Sequence, residues 1–229
     1  YVEYLYELLK EFGTRMSIAL HEAVYETGKV LKWDTGERIL MDSEKCMERI
    51  LYHDALDISV WGKLYERSLF KNVRYPKGKL FEDAGVTYKL IIQCDKVACG
   101  FESQYYYMIR KGCSIVTSRF HKSKLDMIEM TDQMAQGLRE KYPALEDAIL
   151  RRQVYARFTT LRQLVESDIR YRDKEKELIG YIKKNASSVL RNEKAPKRDK
   201  FAIRAAYLGA GFFKYSWKLY CLVTRRKYR

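Results

Sequence analysis

The hydrophobic rhythm of this 229-residue chain changes once, and that change constrains its fold more than any single motif. Before residue 118, short runs of period two alternate with runs of helical period. Beyond it every apolar run repeats at three and four residues. The first half therefore predicts an α/β layer and the second a purely helical region following it. Residues 1–12 place Val2, Leu5, Leu9 and Phe12 on one helical face, and Gly13 closes that helix. Residues 16–20 read as a buried strand, and 21–32 as a hairpin turning through Glu26, Thr27, Gly28 and Lys29. Asp42 and Ser43 cap a helix to about residue 53, with Cys46, Met47, Ile50 and Leu51 facing inward. Residues 59–64 alternate as a strand, 67–70 make a helical turn, and 72–80 form a loop holding Pro76 and Gly78. A helix over 82–93 buries Val86, Leu90 and Cys94. Residues 96–99 and 104–109 follow as two short strands, the second rich in tyrosine.

Helices are predicted over 121–142, 144–167 and 173–191, with breaks at Pro143 and near 170–173. Residues 192–199 read as a polar linker, and a last helix runs from 200 to about 224, ahead of a basic RRKYR end. Net charge is uneven. Residues 1–120 carry 18 Lys/Arg against 17 Asp/Glu, while 121–229 carry 26 against 13. The basic excess thus belongs to the helical half and concentrates in its tail. Five cysteines without framework spacing fit a reduced compartment, and His21, His53 and His121 are too scattered for zinc-ligand spacing. The longest uncharged run near the end, residues 205–213, is too short to span a bilayer. The opening residues fall inside an amphipathic helix with no residue before it to act as its cap, so the chain is expected to continue something longer.

Chemistry is most concentrated at Glu82-Asp83, where a loop turns into a helix. Acids in a first helical turn satisfy free amides and suit the positive end of the dipole, which is the ordinary reading of such a pair. The segments flanking it carry more. VWGKLYERSLF (60–70), RYPKGKLFEDAGVTYKL (74–90) and YYYMIRKGCSIVTSRFHKSKLD (105–126) resemble, in order, the segments of bacterial family-2 glycosyltransferases with the GT-A fold. Residues 1–20 are similar to the helix and strand that follow that family's D-x-D motif.

The resemblance implies transfer of a sugar from a nucleotide-activated donor to an acceptor hydroxyl, with inversion at the anomeric carbon. It makes Asp83 the base that takes the acceptor proton, with Glu82 orienting or capping. The helix dipole is expected to keep Asp83 ionised at neutral pH at some cost in basicity. Trp61 and Lys63 fall in the strand facing the family's donor–acceptor cleft, where Gly62 stands in place of a frequent asparagine. Lys77 and Lys79 flank the acid pair and are candidates to hold a diphosphate or an anionic acceptor. Arg110 matches the second arginine of an R-x-R segment whose first is Met108 here, and Cys113 is an extra residue before Ser114. Tyr105, Tyr106 and Tyr107 are candidates to stack on a sugar, with alternation placing at least one in the core. The resemblance also implies a divalent metal, Mg or Mn, for the complete enzyme. No D-x-D triplet occurs in these residues, so no metal ligand is assigned.

The tail is the second feature. Phe201, Ala205, Leu208, Phe212, Tyr215, Leu219 and Leu222 recur at four and three residues, with Lys200, Arg204, Lys214, Lys218 and Arg225 beside them and Trp217 on the same cylinder. Such a helix reads either as an in-plane anchor on an anionic membrane or as a helix packed on the protein's own helical region. Its aromatics lie on an apolar face and are not interleaved as base-stacking platforms, which argues against nucleic acid.

The expected organisation is an incomplete GT-A, Rossmann-like α/β domain on its acceptor side (1–120), a helical region (121–191), and a basic linker with an amphipathic helix (192–229). The expected function is part of an inverting glycosyltransferase of surface polysaccharide or glycolipid synthesis, inactive as this chain alone. It would sit in the cytoplasm on the inner face of the cell membrane. Its partners would be a nucleotide-sugar donor held mostly outside this chain, a glycan or lipid-linked acceptor, and an anionic membrane. The competing expectation is a non-enzymatic basic helical module that binds membrane or nucleic acid.

Overall fold

The computed structural model describes all residues except 27, 29, 111, 113, 114, 116, 117, 168–170 and 224–229. Among the described residues five strands form one sheet: β1 (Met16–Tyr25), β2 (Val30–Leu31), β3 (Arg38–Asp42), β4 (Lys63–Tyr65) and β5 (Lys96–Ile109). β1 and β5 pair in parallel from Ser17 opposite Ala98 to Tyr25 opposite Ile109. β3 runs antiparallel along the other edge of β5, while β4 and β2 share the far edge of β1, against its first and last residues respectively.

The sequence divides this central pair too finely. β1 continues through His21 without a break: His21 lines a cavity and Glu22, on the opposite face, pairs with Lys32, so neither polar residue ends the strand. Thr27 and Lys29 of the expected turn lie outside the described residues. The two short strands expected at 96–99 and 104–109 are one strand. Between them Phe101, Glu102 and Gln104 have no partner on β1, so the apparent gap is a bulge that keeps the pair continuous. β3, by contrast, carries no expectation from the sequence. The strand expected over 59–64 shortens to β4, Lys63–Tyr65.

Side chains alternate across the sheet as a strand requires. On one face Ala19 and Ala98 receive Tyr4, Leu5 and Leu8 of α1 (Val2–Phe12), and Ser17 Oγ donates to the Leu5 carbonyl at 2.8 Å. Val2, expected inward, is 60% exposed; the buried stripe of α1 sits one step around the helix. On the other face Met16, Ile18, Leu20, Val97, Cys99 and Phe101 pack with α2 (Ser43–Tyr52), α3 (Glu82–Ile91) and α4 (Asp126–Lys141). This core also takes Ala148 and Ile149 at the start of α5 (Glu146–Val165), so it runs past residue 120 into the helical half. A second core begins at Val154 and is built by the rest of α5, α6 (Arg172–Arg191), α7 (Lys197–Tyr207) and α8 (Ala210–Val223).

Two corrections follow in the tail. Residues 197–199, expected as linker, are the first turn of α7. The single helix expected over 200–224 is two, parted at Gly209, whose φ of 102° is open to glycine and strained for other residues. α7 buries Ala202, Ile203, Ala205 and Ala206, and α8 buries Phe213 and Trp217. Asp199 locks α7 to α5 by accepting from Arg151 Nε at 2.5 Å, while Arg151 Nη1 donates to the Leu51 carbonyl of α2 at 2.5 Å. One buried ion pair thereby joins three helices.

Candidate active site

Because β1 and β5 are parallel, their carboxyl ends open on the same side, the position where α/β sheets commonly bind ligands. A cavity of about 400 Å³ lies there. Its sheet wall carries His21 and Tyr25 of β1 and Tyr107 of β5, and its helical wall carries Arg152 and Tyr155 of α5. His53, Ala55 and Phe81 also line it, and these are the only non-glycine residues with positive φ among those described, at 56°, 60° and 57°. Left-handed backbone in such residues costs about 1 kcal/mol or more each and tends to gather at functional sites.

Phe81, which lines the cavity, is the residue from which α3 starts, so Glu82 and Asp83 of the first turn follow directly on the cavity wall. Asp83 Oδ1 accepts from the Ala84 amide at 2.7 Å, and its charge is felt by two cavity residues, Tyr107 and Arg152. Burial pushes the Asp83 carboxyl up to about 6; the Ala84 amide and Arg152 oppose that rise, while Glu82 and Asp57 add to it. The sequence expects the helix terminus to depress its basicity. Desolvation outweighs the amide and dipole, and the result is a stronger base that is still mainly ionised at neutral pH.

A second carboxylate faces the opposite environment. Burial alone would raise Asp57, but Lys63, His21 and the Ser59 amide more than offset it and hold it below the ordinary carboxylate range. Lys63 Nζ lies 3.3 Å from Asp57 Oδ1 and His21 Nδ1 lies 3.2 Å from Oδ2. Two nearby acids driven apart in this way suit separate tasks, one fixed anion and one proton acceptor.

The structure brings some of the expected site residues together and disperses others. Trp61 stacks on Tyr105 at 4.8 Å and on Tyr107 at 5.3 Å, and His21 meets its edge at 4.5 Å. Tyr106, on the opposite face of β5, is 70% exposed, so the tyrosine that alternation sends away from the stack goes to solvent and not into the core. Gly62 has φ 67°, and a Cβ there would meet the Ala19 carbonyl at 3.1 Å. Lys63 is buried and committed to Asp57. Lys79 ties its loop to the start of α4, 2.6 Å from Glu129 and 3.3 Å from Asp126. Arg110 is exposed at the end of β5 and Lys77 is exposed in its loop, while Cys113 and Ser114 lie outside the described residues. Asp57, His21, His53, Arg152 and Arg198 carry no expectation from the sequence. Arg151 and Arg152 leave no distinct trace there, since Gln153, Arg157, Thr160 and Gln163 are polar residues buried on the same helix. Among the described residues no group of three or more His, Cys, Asp or Glu side chains is placed to hold a metal ion. These residues therefore offer no fit for the metal that the resemblance implies.

A mixed sheet with a central parallel pair, an acid at a helix start beside the carboxyl ends, and a helical region behind is consistent with an α/β glycosyltransferase fragment of GT-A kind. No protein-family model matches the chain. Over 120 residues it is 32% identical to Glycosyltransferase GlyA of Streptococcus pneumoniae serotype 4, a match covering 49% of this chain and 17% of GlyA. Among solved structures it is similar to S. aureus TarS 1-349, with a TM-score of 0.54 and 15% identity over 95% of this chain and 62% of that one. The resemblance to glycosyltransferases read from the motifs is thus borne out by the sequence relative, and the fold by the structural one.

The folded protein holds the Asp83 proton more tightly than the unfolded chain does, so stability falls as pH rises from about 4 through about 6. Asp83→Asn removes that loss. It should leave the urea midpoint near that of the parent at pH 4 and raise stability by roughly 1–3 kcal/mol at pH 7. Equal midpoints at both pH values would contradict the burial of this carboxylate.

Proposed function

We propose that the chain forms the acceptor side of an inverting glycosyltransferase in which Asp83 is the general base. The observation that carries this is the Asp83 carboxylate, desolvated to about 6 at a strained helix start beside an aromatic-walled cavity. In the proposed step Asp83 takes the proton of an acceptor hydroxyl as its oxygen bonds to the anomeric carbon of the donor sugar. The bond from that carbon to the nucleoside diphosphate breaks on the opposite face, giving inversion. The helix start fixes the carboxylate, and the Trp61–Tyr105–Tyr107 stack offers a rigid aromatic surface beside it. Donor nucleotide and divalent metal would be held mainly by sequence outside these 229 residues; the matched 120 residues cover 17% of GlyA, and the structural match covers 62% of TarS 1-349. The acceptor would be a glycan or lipid-linked glycan of the cell surface.

Asp83→Asn, placed in the protein that includes the donor-binding part, should lower transfer by about 10²–10⁴-fold with the fold intact by circular dichroism. Unchanged transfer would remove Asp83 from the role of base.

α8 favours peripheral attachment to the inner face of the cell membrane as part of the same proposal. Of the apolar stripe read from the sequence, Phe201 is half-buried and Ala205 and Trp217 are packed inside, so those positions face the protein. On α8 Phe212, Tyr215, Leu219 and Leu222 are each more than half exposed and keep the three-and-four spacing, with Lys214 and Lys218 exposed beside them. Leu208, also more than half exposed, lies across the Gly209 break at the end of α7. Arg225 lies outside the described residues. An apolar stripe with a cationic margin suits an anionic lipid surface. No helix among the described residues is long and apolar enough to cross a membrane. The double variant Phe212→Glu/Leu219→Glu should abolish co-sedimentation with vesicles containing phosphatidylglycerol. Retained binding would sink the anchor.

A further inference from the structure

The helical wall of the cavity is more cationic than the proposed base requires. The guanidinium carbons of Arg151, Arg152 and Arg198 lie 5.0, 5.1 and 5.2 Å from the centre of the Tyr155 ring, a cluster that α5 and α7 build together. Among the described residues one carboxylate is in contact with this cluster. Asp199 is shared by Arg151 and by Arg198, whose Nε lies 3.0 Å from Oδ1. Arg152 has no carboxylate within ion-pair distance among the described residues. Its Nη1 donates to the His53 ring, and the charge of Asp83 reaches it only through space. Arg152 is 7% exposed and lines the cavity, as does Arg198.

A buried guanidinium without a counter-ion is costly, and the cost is relieved when an anion enters. A second observation points the same way. Trp217, 4% exposed, also lines the cavity, and its indole Nε1–H has no hydrogen-bond partner among the described residues. Guanidinium forks and a neutral N–H donor lining one cavity suit a tetrahedral oxyanion, because phosphate oxygens accept from several directions at once. A cavity of about 400 Å³ has room for a sugar as well as its phosphate.

We propose that this cavity binds a phosphorylated acceptor, its phosphate seated on Arg152 with Arg198 and the Trp217 indole N–H, so that its sugar extends toward Asp83. The assignment to acceptor rests on the reading of Asp83 as base, while the presence of an oxyanion site does not. The same chemistry would serve the diphosphate of a nucleotide donor, and the choice of probe separates the two sources.

Glucose 6-phosphate, glucose and uridine diphosphate are titrated into the 229-residue chain by calorimetry. Glucose 6-phosphate should bind and weaken with added salt, and glucose should show no heat. Arg152→Gln should weaken glucose 6-phosphate binding at least tenfold. Trp217→Phe, which keeps the aromatic packing and removes only the donor, should weaken it several-fold. Asp83→Asn should leave binding intact or tighter, since it removes a negative charge near the site. Failure of the base hypothesis in the transfer assay would therefore not disturb this result. Binding of uridine diphosphate but not glucose 6-phosphate, no binding of either, or binding that both cavity variants leave unchanged would each overturn the proposal.

Discussion

The parallel pairing of β1 with β5 is the constraint on which the rest of the structure depends. It alone sends two strand ends to the same side, and every element of the site is placed relative to those ends. The pairing survives a register shift around Leu20 because β5 absorbs three extra residues in a bulge. Beyond it the alternation still places His21, Tyr105 and Tyr107 where Trp61 can pack among them. Had the strands ended where their polar residues first appear, neither His21 nor the tyrosines would be held by hydrogen-bonded backbone. Sites on paired strands are positioned more rigidly than sites on loops.

The second organising fact is the division of charge around the cavity. Asp57 is neutralised by Lys63 and His21 and held below the ordinary carboxylate range, whereas Asp83 is desolvated and lifted to about 6. Asp199 anchors α7 by pairing with Arg151 and Arg198, leaving Arg152 without an acidic partner in contact among the described residues. The stability lost to a buried carboxylate, a buried guanidinium and three left-handed residues is concentrated around one cavity. Proteins retain such local costs where chemistry or binding uses them.

Element types were legible where periodicity is strong. α1, α2, α3 and the three long helices after residue 118 lie close to their predicted spans, because amphipathic repeats survive in any tertiary context. β3 was not legible, since Arg38–Asp42 is short and its apolar residues, Ile39, Leu40 and Met41, run together without the alternation that marks a strand. The break at Gly209 was readable as weakened helix propensity but not as a turn, which depends on α7 and α8 both docking on the second core. At the site, the acid pair was legible through its flanking motifs. Asp57, His53 and Arg152 were not, because residues some 30 to 100 positions apart meet there only after the sheet and α5 assemble. The direction of the Asp83 shift was likewise hidden, since sequence shows the helix start and not the degree of burial.

The proposed role of Asp83 rests on the desolvation of its carboxylate. Carbon-13 NMR titration of the aspartate side-chain carboxyls, with Asp83→Asn to assign the resonance, measures it directly. A midpoint of about 6 for Asp83 is the result expected. A midpoint near 4, the ordinary value for an exposed aspartate, would contradict the account.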